Sequence, residues 1–320
     1  MKTLGAFFRL MRWRNLCFIL ITQVLYYYCV FRPLLPDARN TLFYFSGERL
    51  FLFYMLSLAS ILIAAAGYII NDYFDLKIDT VNKPDRVVVD RIVKRRWAIL
   101  WHLLFSLLGI AISFYISRRT GSYIIGIGNV VCVLLLFVYS TTFKKRVLSG
   151  NIIIAALTAW VIIVVYFFTG ARLVDFEGWL NSGYVFDIRK LFKITLVYAG
   201  FAFVLSVVRE VVKDIEDVSG DAKYDCRTMP IAWGMPASKV FVAVWMVVLI
   251  AAVCVCIFYA FQSGWRWGAL YVFVLILLPM IKFLYDLKKA LAAEDFHRLS
   301  NLVKLIMLTG ILSMLFFLII

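Results

Sequence analysis

The 320-residue chain is 64% hydrophobic and 17% charged, with a mean hydropathy of +0.91 and a formal charge of +15. That balance excludes an ordinary water-soluble domain and describes an integral membrane protein. The basic residues stand in short connections between apolar runs, with no basic domain or recognition motif. They therefore argue for topology and contact with anionic membrane lipids, and against nucleic acid as a partner.

Apolar runs of the spanning length, about 17–25 residues, lie near 16–35, 49–70, 97–117, 121–140, 151–169, 191–208, 239–261, 265–285 and 301–320. They predict an all-α membrane protein of nine helices, since runs this long exclude a barrel of short alternating strands. No small-residue cleavage site follows the first run, which reads as a retained helix rather than a signal peptide. The connection at 32–48 carries Pro33, Pro36, Asp37 and Gly47 and reads as a turn. The segment 171–190 is amphipathic, with Phe176, Trp179 and Tyr184 expected as an interfacial anchor.

The second run ends in NDYFDLKID and the sixth in DIEDVSGD. Asp72, Asp75 and Asp79 in the first, and Asp214, Asp217 and Asp221 in the second, share the spacing i, i+3, i+7, which on a helix puts three carboxylates on one face. Each motif precedes a loop rich in Lys and Arg. The recurrence predicts one transmembrane domain over 1–320, with pseudo-repeats at about 10–140 and 150–285 and an extra helix at 301–320, the acidic corners opening on a shared cavity. Counting the N-terminus and every second connection gives 24 Lys and Arg, against 10 on the other side. The N-terminus and both acidic motifs are accordingly expected in the cytoplasm.

Other reactive residues say less. Cys17, Cys29, Cys132, Cys254 and Cys256 fall in apolar runs and Cys226 in a loop, so neither a disulfide framework nor a cysteine zinc site follows. His102 and His297 stand apart and read as packing or interfacial residues.

Grouped carboxylates repel and raise one another's pKa unless cations join them. Mg²⁺ is the expected partner, because it is held by one or two carboxylates together with phosphate oxygens. Asn71 adds a neutral oxygen donor. Lys83, Arg86, Lys94, Lys145, Arg209 and Lys213 lie where they could reach a bound phosphate, and a diphosphate fits the combination. An apolar cavity beneath such a clamp calls for a lipid tail, and the 28 Phe residues offer ring faces to an allylic cation.

With these residues in view, the chain resembles the UbiA superfamily of intramembrane prenyltransferases from about residue 9 to 320. NDYFDLKID matches its NDxxDxxxD motif, REVVKDIEDVSGD its DxxDxxxD motif, and TMPIAWG the Thr-Leu/Met-Pro tail that follows. The resemblance implies that Asn71, Asp75, Asp79, Asp214, Asp217 and Asp221 serve Mg²⁺ and diphosphate, with Asp72 beside them. It implies that Arg12 and Asn15 in MRWRNL border the acceptor pocket, although Trp13 stands where the family has Pro. It also implicates Tyr139 and Lys145 in YSTTFKKR. Asp75, Asp79 and Asp217 are the expected catalytic group, with Asp79 the candidate proton acceptor.

The implied reaction is transfer of a prenyl group from a polyprenyl diphosphate to a lipophilic acceptor; with no transit-like presequence, a prokaryotic plasma membrane is the expected location. The turn NKPDR is similar to that of members grouped with geranylgeranylglyceryl phosphate geranylgeranyltransferases, which favours a prenylglyceryl phosphate acceptor. An aromatic acceptor of quinone synthesis is the alternative. From another class, an ion-coupled carrier also combines intramembrane acids with internal duplication; here the aspartates sit at helix ends beside basic loops rather than in broken helices at the midplane.

Overall fold

The computed structural model describes residues 2–35, 45–82, 87–170, 188–224 and 226–319. Lys83, Arg86, most of the 32–48 connection and the expected anchor at Phe176, Trp179 and Tyr184 lie outside the described residues. Among the described residues there are nine helices long and apolar enough to span a membrane, and the only β pairing is an isolated bridge between Val89 and Val93. Every predicted run is present. Several extend past their apolar stretch, because charged end turns such as 209–216 keep helical hydrogen bonding where hydropathy has already fallen.

In chain order the helices are α1 (Lys2–Leu10), α2 (Trp13–Leu25), α3 (Gly47–Phe74), α4 (Leu76–Asn82), α5 (Arg95–Thr120), α6 (Tyr123–Thr141) and α7 (Ser149–Gly170). They continue as α8 (Ile188–Glu216), α9 (Val218–Asp221), α10 (Met229–Ala232), α11 (Gly234–Gln262), α12 (Arg266–Val272), α13 (Leu278–Lys289) and α14 (Ala293–Leu312). The described residues fall into two compact units, one within Met1–Thr141 and Trp160–Ala199, the other within Thr142–Ala159 and Gly200–Ile319.

In the first unit, α3 starts at Ser46, whose hydroxyl accepts the Arg49 N–H, with Glu48 complementing the positive helix end. Lipid gives helices no hydrophobic reason to associate, so packing depends on small residues and buried polar contacts. Gly109 of α5 lies so near α3 that a Cβ would stand 2.7 Å from Ile63 Cγ1. Gly128 of α6 lies beneath the Trp160 ring of α7. Beside it, Trp160 Nε1 donates to Asn129 Oδ1 at 2.9 Å, Asn129 Nδ2 donates to Ser113 Oγ at 2.7 Å, and Ser113 donates to the Gly109 carbonyl. Three helices are thereby tied through one buried chain of donors. At the opposite edge of α2 the helix widens into a π turn at Tyr26–Phe31, where Tyr27 stacks on Phe53 at 4.1 Å and also meets Phe168.

The second unit is built around the apolar face of α8, where Val208, Val211, Val212 and Ile215 are buried with Met246, Met280, Phe283 and Val303. Pro279 interrupts the span formed by α12 and α13 and has no N–H for the Leu275 carbonyl four residues earlier. A π turn at Phe273–Leu277 absorbs the break, and the Thr309 hydroxyl of α14 donates to the Leu275 oxygen at 2.9 Å. Lys239 closes the C-terminus of α13 by donating to the Ala290 carbonyl at 3.0 Å and the Lys288 carbonyl at 3.3 Å.

Candidate functional site

Each acidic motif sits where a spanning helix breaks and resumes. In the first, α3 ends at Phe74 and α4 begins at Leu76; in the second, α8 ends at Glu216 and α9 begins at Val218. The residue at the break is in both cases the middle aspartate, Asp75 at φ −83°, ψ −1° and Asp217 at φ −96°, ψ 4°. Helical bonding passes through the break: Asp75 N–H donates to the Asn71 carbonyl and Asp79 N–H to that of Asp75, as Asp217 does to Lys213 and Asp221 to Asp217. Sequence spacing predicts three carboxylates on an unbroken face; the structure keeps the hydrogen-bonding register and interrupts the helix at the middle aspartate.

The first aspartate of each motif is held by a side chain from another helix or its leading turn. Arg12 Nη2 donates to Asp72 Oδ1 at 2.8 Å, and Asn151 Nδ2 donates to Asp214 Oδ2 at 2.8 Å. The Arg12 guanidinium also lies over the Tyr68 ring at 5.1 Å, and Asn15 donates to the Tyr68 hydroxyl at 3.3 Å. Burial works against the Arg12 charge, but the neighbouring Asp72 carboxylate outweighs it and holds the guanidinium pKa above its usual range. Arg12 and Asn15, expected at an acceptor pocket, are thus brought to the first acidic turn.

Asp75 is buried at 3% exposure, as is Asp221 at 6%. Asn71 Nδ2 donates to Asp75 Oδ2 at 2.6 Å, which leaves Asn71 Oδ1 buried with no protein donor. In the second unit, Arg209 Nη1 and Lys213 Nζ each donate to Glu210 Oε1 at 2.8 Å, while Arg209 Nε is buried without an acceptor. The Thr228 hydroxyl, in the Thr-Met-Pro stretch, is another buried polar atom without a partner. Buried polar atoms are nearly always hydrogen-bonded, and Asn71, Arg209 and Thr228 are exceptions at these motifs, as Gln23, Ser57 and Ser106 are elsewhere. An unpartnered amide oxygen beside a carboxylate suits a hard cation such as Mg²⁺, and an unpartnered guanidinium N–H suits a phosphate oxygen. Neither turn closes around a cation by itself: among the described residues no three His, Cys, Asp or Glu form a ready metal cage. That openness is compatible with Mg²⁺, which keeps several waters and takes much of its coordination from substrate phosphates.

Of the remaining predicted residues, Lys94 is exposed at the start of α5, and Tyr139 is partly buried in the last turn of α6. Lys145 is exposed in the turn at Phe143–Lys145, and its carbonyl accepts the Arg227 N–H at 2.8 Å. Sequence reasoning missed Asn151 and Glu210. Glu210 stands in the quoted REVVKD stretch, one and three residues from the two cations it joins. Glu216 likewise meets His297 Nδ1 at 3.0 Å, so that histidine is paired rather than merely packed. His102 is buried against the Ala66 carbonyl, as a packing residue should be, and no cysteine among the described residues forms a disulfide.

A profile described as the UbiA prenyltransferase family matches residues 42–305. The chain is 27% identical to digeranylgeranylglyceryl phosphate synthase of Methanosphaera stadtmanae over 260 residues, covering 80% of this chain and 84% of that protein. Among solved structures, one concerned with digeranylgeranylglyceryl phosphate synthase in membranes is similar at a TM-score of 0.59 and 22% identity, over 98% of this chain and 99% of that one. A UbiA homologue from Archaeoglobus fulgidus bound to DMAPP and Mg²⁺ is similar at a TM-score of 0.56 and 15% identity, over 96% and 98%. These structures share the fold. The extent of the profile match, which includes both acidic motifs, makes this chain a member of the UbiA prenyltransferase family.

Proposed function

We propose that this prenyltransferase moves a prenyl group from a polyprenyl diphosphate to a prenylglyceryl phosphate, forming an ether lipid, with Mg²⁺ as cofactor. The observation that carries the reading is the repeated acidic turn, with a buried Asn71 oxygen that has no protein donor beside Asp75. The acceptor class draws its support from the NKPDR sequence and from the relative in Methanosphaera stadtmanae, a digeranylgeranylglyceryl phosphate synthase. The ligands of the A. fulgidus homologue, a prenyl diphosphate and Mg²⁺, support the donor and the metal.

Asn71, Asp75 and Asp79 of the first turn, and Asp214, Asp217 and Asp221 of the second, would hold Mg²⁺, with Asp72 alongside. Mg²⁺, when bound, neutralises diphosphate charge and makes it a better leaving group. Arg209 and Lys213 bind and orient the diphosphate, with Tyr139, Lys145, Lys94 and Arg86 as further contacts. Their positive charge favours the departing group more than the bound ester, which is the differential stabilisation catalysis requires. Surrounding apolar helices keep water from the allylic centre. The acceptor hydroxyl attacks the first prenyl carbon as the C–O bond to diphosphate breaks, and its proton passes to a carboxylate, for which Asp79 is the candidate. Arg12 and Asn15 border the acceptor. The active site faces the cytoplasm, as the charge bias of the connections argues.

The test is to incubate purified protein with Mg²⁺, geranylgeranyl diphosphate and either geranylgeranylglyceryl phosphate or a hydroxybenzoate or naphthoate, identifying products by mass. A diether product and released diphosphate, abolished by EDTA and restored by Mg²⁺, are expected. A product on the aromatic acceptor alone would overturn the acceptor class, and full activity in chelator would overturn the metal.

A further inference from the structure

The two acidic turns share more than their aspartates. Among the described residues only Arg12, Asp90 and Leu148 are non-glycine residues with a positive φ, and two of these stand immediately before α2 and α7: Arg12 at φ 51° and Leu148 at φ 61°. Three residues past each left-handed position comes an asparagine, Asn15 or Asn151. In this register Asp72 and Asp214 correspond, as do Asp75 with Asp217 and Asp79 with Asp221.

The correspondence exposes a difference. In the first unit the left-handed residue is an arginine, and it takes the leading aspartate directly, at 2.8 Å. Its counterpart, Leu148, has no polar group to offer. Asn151, a residue only 8% exposed, makes the contact instead, reaching Asp214 Oδ2 at 2.8 Å. The partners are 63 residues apart in sequence, so this is a tertiary contact and not a consequence of helix spacing. An amide donor also differs from a guanidinium in what it leaves behind. Arg12 brings a full positive charge to Asp72, whereas Asn151 brings Asp214 a neutral donor and no countercharge.

We propose that Asn151 is a positioning residue of the second acidic turn, holding the Asp214 carboxylate in the rotamer that receives the Mg²⁺-diphosphate. The assignment rests on the proposed prenyltransferase reading. Groups that orient a metal-binding carboxylate typically govern 10- to 100-fold in affinity or activity.

The experiment measures Mg²⁺-dependent binding of a non-cleavable geranylgeranyl thiolodiphosphate to the purified full-length protein by tryptophan fluorescence. Asn151→Ala, and the same-sized Asn151→Asp that lacks the donor, should each weaken binding about 10- to 100-fold. Melting temperatures without ligand establish that the variants compared are folded. Asp214→Asn should weaken binding as well, and the double variant Asn151→Ala/Asp214→Asn should bind no more weakly than Asp214→Asn alone, because Asn151 acts through that carboxylate. Wild-type affinity in a folded Asn151 variant, or losses that multiply in the double variant, would overturn the proposal and leave the prenyltransferase reading standing. Failure of the wild-type protein to bind the analogue with Mg²⁺ would overturn both.

Discussion

A carboxylate near a membrane needs a reason to be there, and three of the six aspartates of the two turns show two ways of being held. Asp72 and Asp214 have long-range partners in Arg12 and Asn151; Asp75 is joined locally by Asn71 within one helical turn. On the proposed function, removing a middle aspartate takes away a ligand and not merely its support. Asp75→Ala and Asp217→Ala should therefore each lower kcat/KM by more than about a hundredfold, beyond the range typical of supporting residues. Melting temperature in detergent should move by less than about 4 °C, and near-normal turnover by both folded variants would contradict the assignment. Lys213→Ala should raise the KM of the prenyl diphosphate about tenfold, the scale of a lost charged hydrogen bond, and the acceptor KM much less. Steady-state kinetics with each substrate varied in turn decides it, and the reverse ordering counts against the role of Lys213. At this scale the sequence was legible where contacts are local. Aspartates at i, i+3 and i+7 announce themselves, whereas Asn151 carries no periodic signal and is identified only by a partner 63 residues away. The exchange of partner, arginine in one turn and asparagine in the other, is likewise invisible until the chain is folded.

Among the elements, helices were easy to read and the contacts between them were not, for one physical reason. Lipid rewards any apolar run of sufficient length, so hydropathy reports the spans; association is decided by small residues and isolated polar atoms that hydropathy averages away. Gly128 under Trp160, the Asn129 chain of donors and the Thr309 bond to Leu275 are all of this kind. The helix breaks at Asp75 and Asp217 escaped for a related reason: spacing gives the face but not the dihedral at its centre. Two substitutions separate packing from hydrogen bonding. Gly128→Val puts a branched side chain where the Trp160 ring already lies and should cost about 1–3 kcal/mol. Thr309→Val keeps the volume but takes a donor from the Leu275 carbonyl, at a cost of about 0.6–1.7 kcal/mol in a membrane interior. Thermal unfolding in detergent should rank Gly128→Val as the more damaging. Equal stability of both variants and the wild type would mean that neither contact contributes to the fold.

For the molecule as a whole, charge along the chain argues orientation in a way that packing cannot. Nine helices among the described residues are long and apolar enough to span a membrane, and consecutive spans must alternate in direction, so a bias of 24 Lys and Arg against 10 argues for two distinct sides over many short connections at once. Short loops are where this bias acts, since each must either cross the bilayer during insertion or stay behind. The turn at Phe143–Lys145, with Arg146 next to it, is strongly basic, while the connection after α11 at Ser263–Trp265 carries no charge. Both belong to the second unit, and three spans, those of α7, α8 and α11, separate them along the chain. An odd number of crossings puts them on opposite sides. In a cysteine-free background expressed in a bacterial inner membrane, Ser263→Cys should react with a membrane-impermeant maleimide added to intact spheroplasts. Lys145→Cys, already exposed to solvent, should react only after the membrane is opened. Labelling in the opposite order would turn both acidic turns away from the cytoplasm and overturn the proposed orientation. Labelling of both from one side would break the alternation of spans on which the orientation rests.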